Sequence, residues 1–243
     1  MADASQNSPT VVLVHGAFAD AGSWAGVTEL LLAAGAKVLA PANPLRGIRT
    51  DSDYMTKVFA QVDGPVLAVG HSYGGAIITN AASQVDNVVG LVYVAAFAPE
   101  ENESLGEREG TSRDSVLSSA LQPREFPNGT DGATAVELYV DPKEFHRVFS
   151  SDLPEAQSAV LAASQRPVAA SAFEEKSGAA AWKTLPSWAV VATGDKAAGA
   201  DVIRAMAERA GAEIRELEGS HVIMISQPQA VADVILAALE AVS

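Results

Sequence analysis

One serine of this chain stands where it could act as a nucleophile. Ser72 lies in the stretch Gly70–Gly75 (GHSYGG), between the apolar run Pro65–Val69 and the helix-forming run Ala76–Ala82. A strand, a Gly-x-Ser-x-Gly turn and a helix in this order are typical of a nucleophile elbow, whose sharp turn lifts the serine Oγ clear of the sheet edge. The flanking glycines leave room for the turn, and Ser72 is expected to have a positive φ. The chemistry that this motif indicates is acyl transfer through an ester of the serine side chain.

The serine hydroxyl needs a base within hydrogen-bond reach, and the base needs an acid that orients it. In open α/β sheets such groups gather at the carboxyl ends of the strands. Two residues fit this place: Asp195, after the apolar run Trp188–Ala192, and His221, in a glycine-bounded loop after a further strand. We expect His221 to take the proton of Ser72, while Asp195 holds the imidazole tautomer and stabilises the imidazolium.

Other histidines and acids compete for these two roles. His71 is the neighbour of the nucleophile, so its side chain is expected to point to the opposite face of the strand. His15, at the exit of the first strand, is expected to be a structural hydrogen-bonding residue, and His146 is expected on a helix surface. The competing acids are Asp86, Glu100 and Asp201. Asp195 is preferred because it follows the end of a strand directly.

Acyl transfer also needs N–H donors aimed at the oxyanion that develops on the acyl group. The backbone N–H of Tyr73 is one candidate, because it begins the elbow helix, where unpaired N–H groups and the helix dipole favour negative charge. The second donor comes from the loop after the first strand. That loop is His15–Phe18, and we assign the role to the N–H of Ala17.

Six strand-like runs could position these residues, and helical runs separate them. The runs are Thr10–Val14, Lys37–Ala40, Pro65–Val69, Val88–Ala96, Trp188–Ala192 and Glu213–Leu217, of which the last alternates as an edge strand does. Strands that alternate with helices predict an α/β fold with a doubly wound, mainly parallel sheet. From about Pro99 to Leu185 no comparable run occurs, and a mostly helical insertion is expected. The predicted division is therefore a core of residues 1–98 and 186–243 with a cap insertion of residues 99–185.

Composition narrows the classes of function. The chain has 30 acidic and 16 basic residues, a net charge of −14, which argues against nucleic acid and anionic membrane surfaces as partners. It has no cysteine, so disulfides and thiolate metal sites are excluded, and no metal or other cofactor is expected. Met1–Pro9 lacks the pattern of a secretion signal, and no apolar run reaches the ~18 residues of a membrane span. These features predict a cytoplasmic protein without membrane insertion, and they leave the oligomeric state open.

The motifs together resemble the α/β-hydrolase superfamily, in particular the branch of plant methylesterases, plant hydroxynitrile lyases and small bacterial esterases. The matching pieces are Leu13–Ala17, Gly70–Gly75, Thr193–Asp195 and Ser220-His221, with the triad in the order Ser, Asp, His. The resemblance implies the α/β-hydrolase fold without its first two strands. It also implies that the insertion occupies the place of that superfamily's cap. Lyases of this branch carry a hydroxyl-bearing residue at the position of Gly16 and a lysine at that of Val222, so both positions favour an esterase.

The resulting hypothesis is a cofactor-free hydrolase of small, apolar carboxylic esters. The insertion is expected to shape an apolar pocket, and the candidate lining residues are Phe18, Phe97 and Trp182. Two alternatives remain open. The same triad could serve a lyase or a cofactor-free perhydrolase, or the scaffold could be a ligand-binding protein without catalysis.

Overall fold

The computed structural model describes residues 8–129 and 131–243 of the chain. Its strands are β1 (Thr10–Val14), β2 (Lys37–Leu39), β3 (Val66–His71), β4 (Val88–Val94), β5 (Leu121–Pro127), β6 (Thr134–Val140), β7 (Val168–Ala169), β8 (Ser187–Ala192) and β9 (Glu213–Leu217). Its α-helices are α1 (Ala25–Ala33), α2 (Ile48–Ala60), α3 (Tyr73–Ala82), α4 (Leu105–Glu109), α5 (Phe145–Phe149), α6 (Glu155–Ser164), α7 (Ser171–Glu174), α8 (Ala200–Arg209), α9 (Ile223–Ser226) and α10 (Pro228–Ala241). The interpretation of the N-terminal segment as lacking a secretion signal falls mostly on residues 1–7, which lie outside the described residues.

Six of these strands form one parallel sheet in the order β2-β1-β3-β4-β8-β9. Each of the six predicted runs overlaps one of them, so the predicted six-stranded parallel sheet is confirmed. β9 lies at an edge of the sheet, as its alternating sequence predicts. The strands that carry the candidate nucleophile and acid, β3 and β8, lie inside the sheet.

Helices cover both faces of the sheet, which explains the unbroken apolar runs of its central strands. Every residue of β3 and of β8 is buried. α1 packs against α10, and α2 packs against α3. The core therefore holds the ends of β3 and β8 in fixed relation to each other.

Residues 99–185, between β4 and β8, are called the insertion below. Its helices α5 and α6 fall within the predicted amphipathic stretches Lys143–Phe149 and Glu155–Ser164. The insertion was expected to be mostly helical, but this expectation is wrong. Its strands β5, β6 and β7 form a three-stranded antiparallel sheet. The sequence of β5 does not indicate a strand, because it contains Pro123 and Pro127. Proline lacks the N–H that hydrogen-bonds to a neighbouring strand. β5 tolerates both prolines because it is the edge strand of that small sheet.

Candidate active site

The turn between β3 and α3 has the geometry of a nucleophile elbow. Ser72 has φ +53° and ψ −122°, so the expected positive φ is confirmed. A Cβ on Gly70 would lie 2.7 Å from backbone atoms of Gly74 and Gly75, which explains why glycine is needed there. The carbonyl of Ser72 accepts hydrogen bonds from the N–H groups of Gly75 at 3.0 Å and Phe97 at 3.2 Å. These contacts hold a backbone conformation that is costly for a residue with a side chain.

The candidate base and acid are joined directly. Nδ1 of His221 lies 2.7 Å from Oδ2 of Asp195, and both side chains are almost fully buried. Oδ1 of Asp195 accepts the N–H groups of Ala197 at 2.9 Å and Ala198 at 3.0 Å. With Nδ1 donating to a fixed carboxylate, a neutral imidazole has its lone pair on Nε2, the nitrogen that could accept a proton.

The competing acids lie elsewhere. Asp201 accepts hydrogen bonds from Ser112 and from the N–H of Arg113, and Glu100 pairs with Lys183. Asp86 is exposed to solvent. In the described part of the chain, none of these three carboxylates is hydrogen-bonded to His221.

Ser72 and His221 are linked through His71, the residue that precedes Ser72. Nε2 of His71 lies 2.9 Å from the carbonyl oxygen of His221, and the two imidazole centroids are 4.7 Å apart. The hydrogen bonds of the described residues include none between Oγ of Ser72 and His221. Such bonds are often long without substrate and tighten in the Michaelis complex.

Two backbone N–H groups are available near the elbow. Within residues 8–129 and 131–243, no hydrogen bond uses the N–H of Ala17 or of Tyr73. The N–H of Phe18, the next in the loop, is already donated to the carbonyl of Arg166 at 3.0 Å. This arrangement supports the assignment of Ala17 over its neighbour as an oxyanion donor.

The loop after β1 is held against the elbow. A Cβ on Gly16 would lie 2.6 Å from Cβ of Ser72. His15 is fully buried: its Nδ1 lies 2.9 Å from the carbonyl of Gly16, and its Nε2 accepts the N–H of Asn43 at 2.9 Å. Burial lowers the pKa of His15 to about 4, so the ring is neutral near pH 7. His15 is thus a structural hydrogen-bonding residue, as expected.

A cavity of about 60 Å³ lies beside the base. Its apolar walls come from the loop after β1, the insertion and the start of α9: Phe18, Phe145, Phe149, Leu161, Val222 and Ile225. Polar side chains of Asp20, Ser23, Ser164 and Gln165 complete the lining. The ring of Phe149 is 4.8 Å from that of His221 and meets the ring of Phe18 edge-on at 6.0 Å. The cavity wall therefore includes Phe149, which contacts the base, and Phe18 of the Ala17 loop.

Only one of the three predicted lining residues lies at this cavity. Phe18 lines the cavity, whereas Phe97 and Trp182 do not. Phe97 is buried under the elbow, and Nε1 of Trp182 donates to the carbonyl of Pro99 at 3.0 Å. Phe149 is a lining residue that the sequence did not indicate. Its helical spacing marks it only as part of an apolar face.

No group of three or more His, Cys, Asp or Glu side chains in residues 8–129 and 131–243 is placed to hold a metal ion. No helix in the same ranges is long and apolar enough to cross a bilayer.

Comparison with known proteins agrees with this geometry. The carbendazim hydrolyzing esterase of Nocardioides sp. (strain SG-4G) is 34% identical over 107 residues, which are 39% of this chain and only 44% of that relative. The crystal structure of polyneuridine aldehyde esterase superposes with a TM-score of 0.77 and 22% identity, over 96% of this chain and 99% of that one. A pyrethroid hydrolase from Sphingobium faniae JZ-2 has a TM-score of 0.74 and 20% identity, over 96% and 98%. At these identities the two structures show a shared fold. The model of the alpha/beta hydrolase family matches residues 11–234, almost the whole chain, and the protein is accordingly a member of that family.

Proposed function

We propose that this protein hydrolyses carboxylic esters, with Ser72 as the nucleophile, His221 as the base and Asp195 as the residue that orients the base. The observation that carries the proposal is the buried 2.7 Å contact between His221 and Asp195, next to an elbow whose serine has a positive φ. Both features are needed for a serine hydrolase, and neither is needed for a packed core. The relative from Nocardioides and two of the structural neighbours are esterases or hydrolases by name, which supports the same reaction class.

The reaction follows from the positions of these groups. Oγ of Ser72 attacks the acyl carbon while Nε2 of His221 takes its proton. The oxyanion that forms accepts hydrogen bonds from the N–H groups of Ala17 and Tyr73, which no other hydrogen bond among the described residues uses. Collapse of this intermediate expels the alcohol, which leaves with the proton from His221. A water then attacks the acyl-enzyme by the same route in reverse and frees the acid.

The cavity favours a small apolar group on one side of the ester. Its volume is about 60 Å³, and aromatic rings form much of its wall. A short acyl or alcohol group fits such a space better than a long chain. We propose no cofactor, and we assign the protein to the cytoplasm on the grounds of its sequence alone.

Hydroxynitrile lyase activity is the alternative that this geometry disfavours. A side chain at Gly16 would collide with Cβ of Ser72 unless the elbow moved, so the hydroxyl-bearing residue of those lyases has no room here. Assays with a cyanohydrin, and with acetate and peroxide, distinguish lyase and perhydrolase activities from ester cleavage. A ligand-binding protein without catalysis would fail all three assays.

The decisive variant is Ser72→Ala, assayed with p-nitrophenyl acetate. Removal of the nucleophile is expected to lower kcat by at least about 10³-fold, since loss of a triad serine costs up to about 10⁶-fold. Ser83→Ala is the matched control, because Ser83 ends the same helix and its Oγ donates only to the carbonyl of Asn80. Wild-type turnover by Ser72→Ala would refute the proposal.

A further inference from the structure

The loop that carries the base is bound by a carboxylate of the insertion. The N–H of Ser220 donates to Oδ2 of Asp152 at 2.9 Å, and the hydroxyl of Ser220 donates to Oδ1 of the same side chain. The hydroxyl also lies 3.3 Å from the carbonyl of Phe149. Ser220 directly precedes His221, so one carboxylate holds two groups of the residue next to the base.

Gly219 provides the space for this carboxylate. A Cβ on Gly219 would lie 2.8 Å from Oδ2 of Asp152, so the carboxylate is packed directly over the glycine. Although burial would raise the pKa of Asp152, hydrogen bonds from Ser220 and Ser226 hold it below its ordinary value. The group is therefore ionised near neutral pH and acts as an acceptor for both Ser220 donors.

The loop 219–221 has few other supports, because it belongs to neither a helix nor a strand. The carbonyl of Gly219 accepts the N–H of Gly194 at 2.9 Å, and the carbonyl of His221 faces Nε2 of His71. Asp195 fixes the orientation of the imidazole ring. This contact requires that the main chain places the ring within reach of Asp195. Among the described residues, the main-chain N–H of Ser220 is bound by Asp152 alone.

We propose that Asp152 is a positioning residue for the base, an inference that rests on the proposed role of His221. It sets the main chain at Ser220 and thereby the place of the His221 imidazole relative to Ser72. Its segment also includes Phe149, which lines the cavity and touches His221. One short stretch of the insertion, residues 149–152, thus gives Phe149 to the cavity wall and Asp152 to the support of the base.

Three variants test this role. Asp152→Ala removes both acceptors and is expected to lower kcat about 10- to 100-fold with a much smaller change in KM, since a displacement near 1 Å can cost about 10²-fold. Asp152→Asn is expected to stay within about threefold of the wild type. Its amide oxygen can accept the Ser220 N–H, and its amide N–H can donate to the Ser220 hydroxyl. Asp53→Ala, at an exposed acid of α2, is the charge-matched control.

Active sites are counted by titration with a p-nitrophenyl phosphonate, so that kcat refers to folded, reactive protein even if Asp152→Ala is less stable. Ser220→Ala, which keeps the main-chain bond, is expected to fall between the wild type and Asp152→Ala. Wild-type kcat per titrated site in Asp152→Ala would overturn the inference, and so would equal losses in the Ala and Asn variants. Absence of labelling in the wild type would instead refute the proposed function.

Discussion

At the scale of single residues, the site depends on close approach between the loop after β1 and the elbow. Gly16 is one example, since even a methyl group there would overlap Cβ of Ser72. The next residue, Ala17, carries a proposed oxyanion donor. A change at Gly16 therefore reaches the nucleophile and the oxyanion site together.

Gly16→Ala is predicted to lower kcat on p-nitrophenyl acetate by about 10²-fold or more, because a displaced oxyanion donor alone costs about 10²- to 10³-fold. Steady-state kinetics and a thermal unfolding curve measure the effect. Gly26→Ala is the control, since its Cβ would meet only Pro228, at 3.1 Å, and no atom of the elbow. Equal activity of Gly16→Ala and Gly26→Ala would contradict the placement of the Ala17 loop.

The sequence predicted the site unevenly at this scale. Ser72 follows β3 directly and Asp195 comes three residues after the end of β8, so their places depend on local pattern, and the order of the chain indicated His221. Contacts such as Phe149 on His221 or Asp152 on Ser220 join residues about 70 positions apart. No periodicity or spacing marks such pairs, because they depend on how the insertion folds back over the sheet.

At the scale of elements, the helix α6 forms one wall of the cavity. Leu161 and Ser164 of this helix line the cavity, whereas Val160 is 65% exposed. The length and phase of α6 agree with its amphipathic sequence, as predicted. Which residue of its apolar face meets the substrate was not predictable, since that depends on packing against the core.

Leu161→Ala is predicted to shift the preference for p-nitrophenyl esters toward longer acyl or alcohol groups. The truncation enlarges a cavity of only about 60 Å³ without touching the triad. The measurement is kcat/KM across acetate, butyrate, hexanoate and octanoate, with a parallel series of alkyl alcohols. Val160→Ala, one residue away and facing solvent, serves as the control. An unchanged profile in Leu161→Ala would show that the substrate does not occupy this cavity.

The strands illustrate what sequence pattern can and cannot predict. Central strands such as β3 and β8 are continuous apolar runs, because helices cover both of their faces. The sequence of β5 does not alternate between apolar and polar residues, and none of its residues is fully buried. It forms a strand because it pairs with β6. Edge strands of small sheets are therefore the elements that pattern analysis misses.

At the scale of the whole molecule, the site is assembled from four distant parts of the chain: the loop after β1, the elbow, the insertion, and the strands and loops after the insertion. Ion pairs also join the insertion to the rest of the chain, such as Arg209 with Glu103 and Arg46 with Glu137 at 3.0 Å. Activity therefore requires the global fold, and conditions that weaken the fold weaken the site.

Acidic pH is one such condition, and the pKa of His15 defines the pH range over which stability falls. The pKa of His15 is about 4 in the fold against an ordinary histidine value of 6.5, so below pH 6.5 the unfolded chain binds a proton that the native state does not. Stability is predicted to fall as the pH drops from 6.5 to 4, by about 3 kcal/mol from this residue. His15→Gln should lose correspondingly less between pH 7 and pH 4 in urea unfolding. Equal losses in the two proteins would contradict the buried, neutral state of His15.

The central claim is that Ser72 is the nucleophile, and phosphonylation tests it most directly. A p-nitrophenyl alkylphosphonate forms a bond from Oγ of the attacked serine to phosphorus and releases p-nitrophenolate. Intact mass and peptide mass spectrometry then locate the label. The account predicts one label per chain on the peptide that contains Ser72, equimolar p-nitrophenolate, and no label in Ser72→Ala. A label on another residue, or the same labelling in Ser72→Ala, would contradict it.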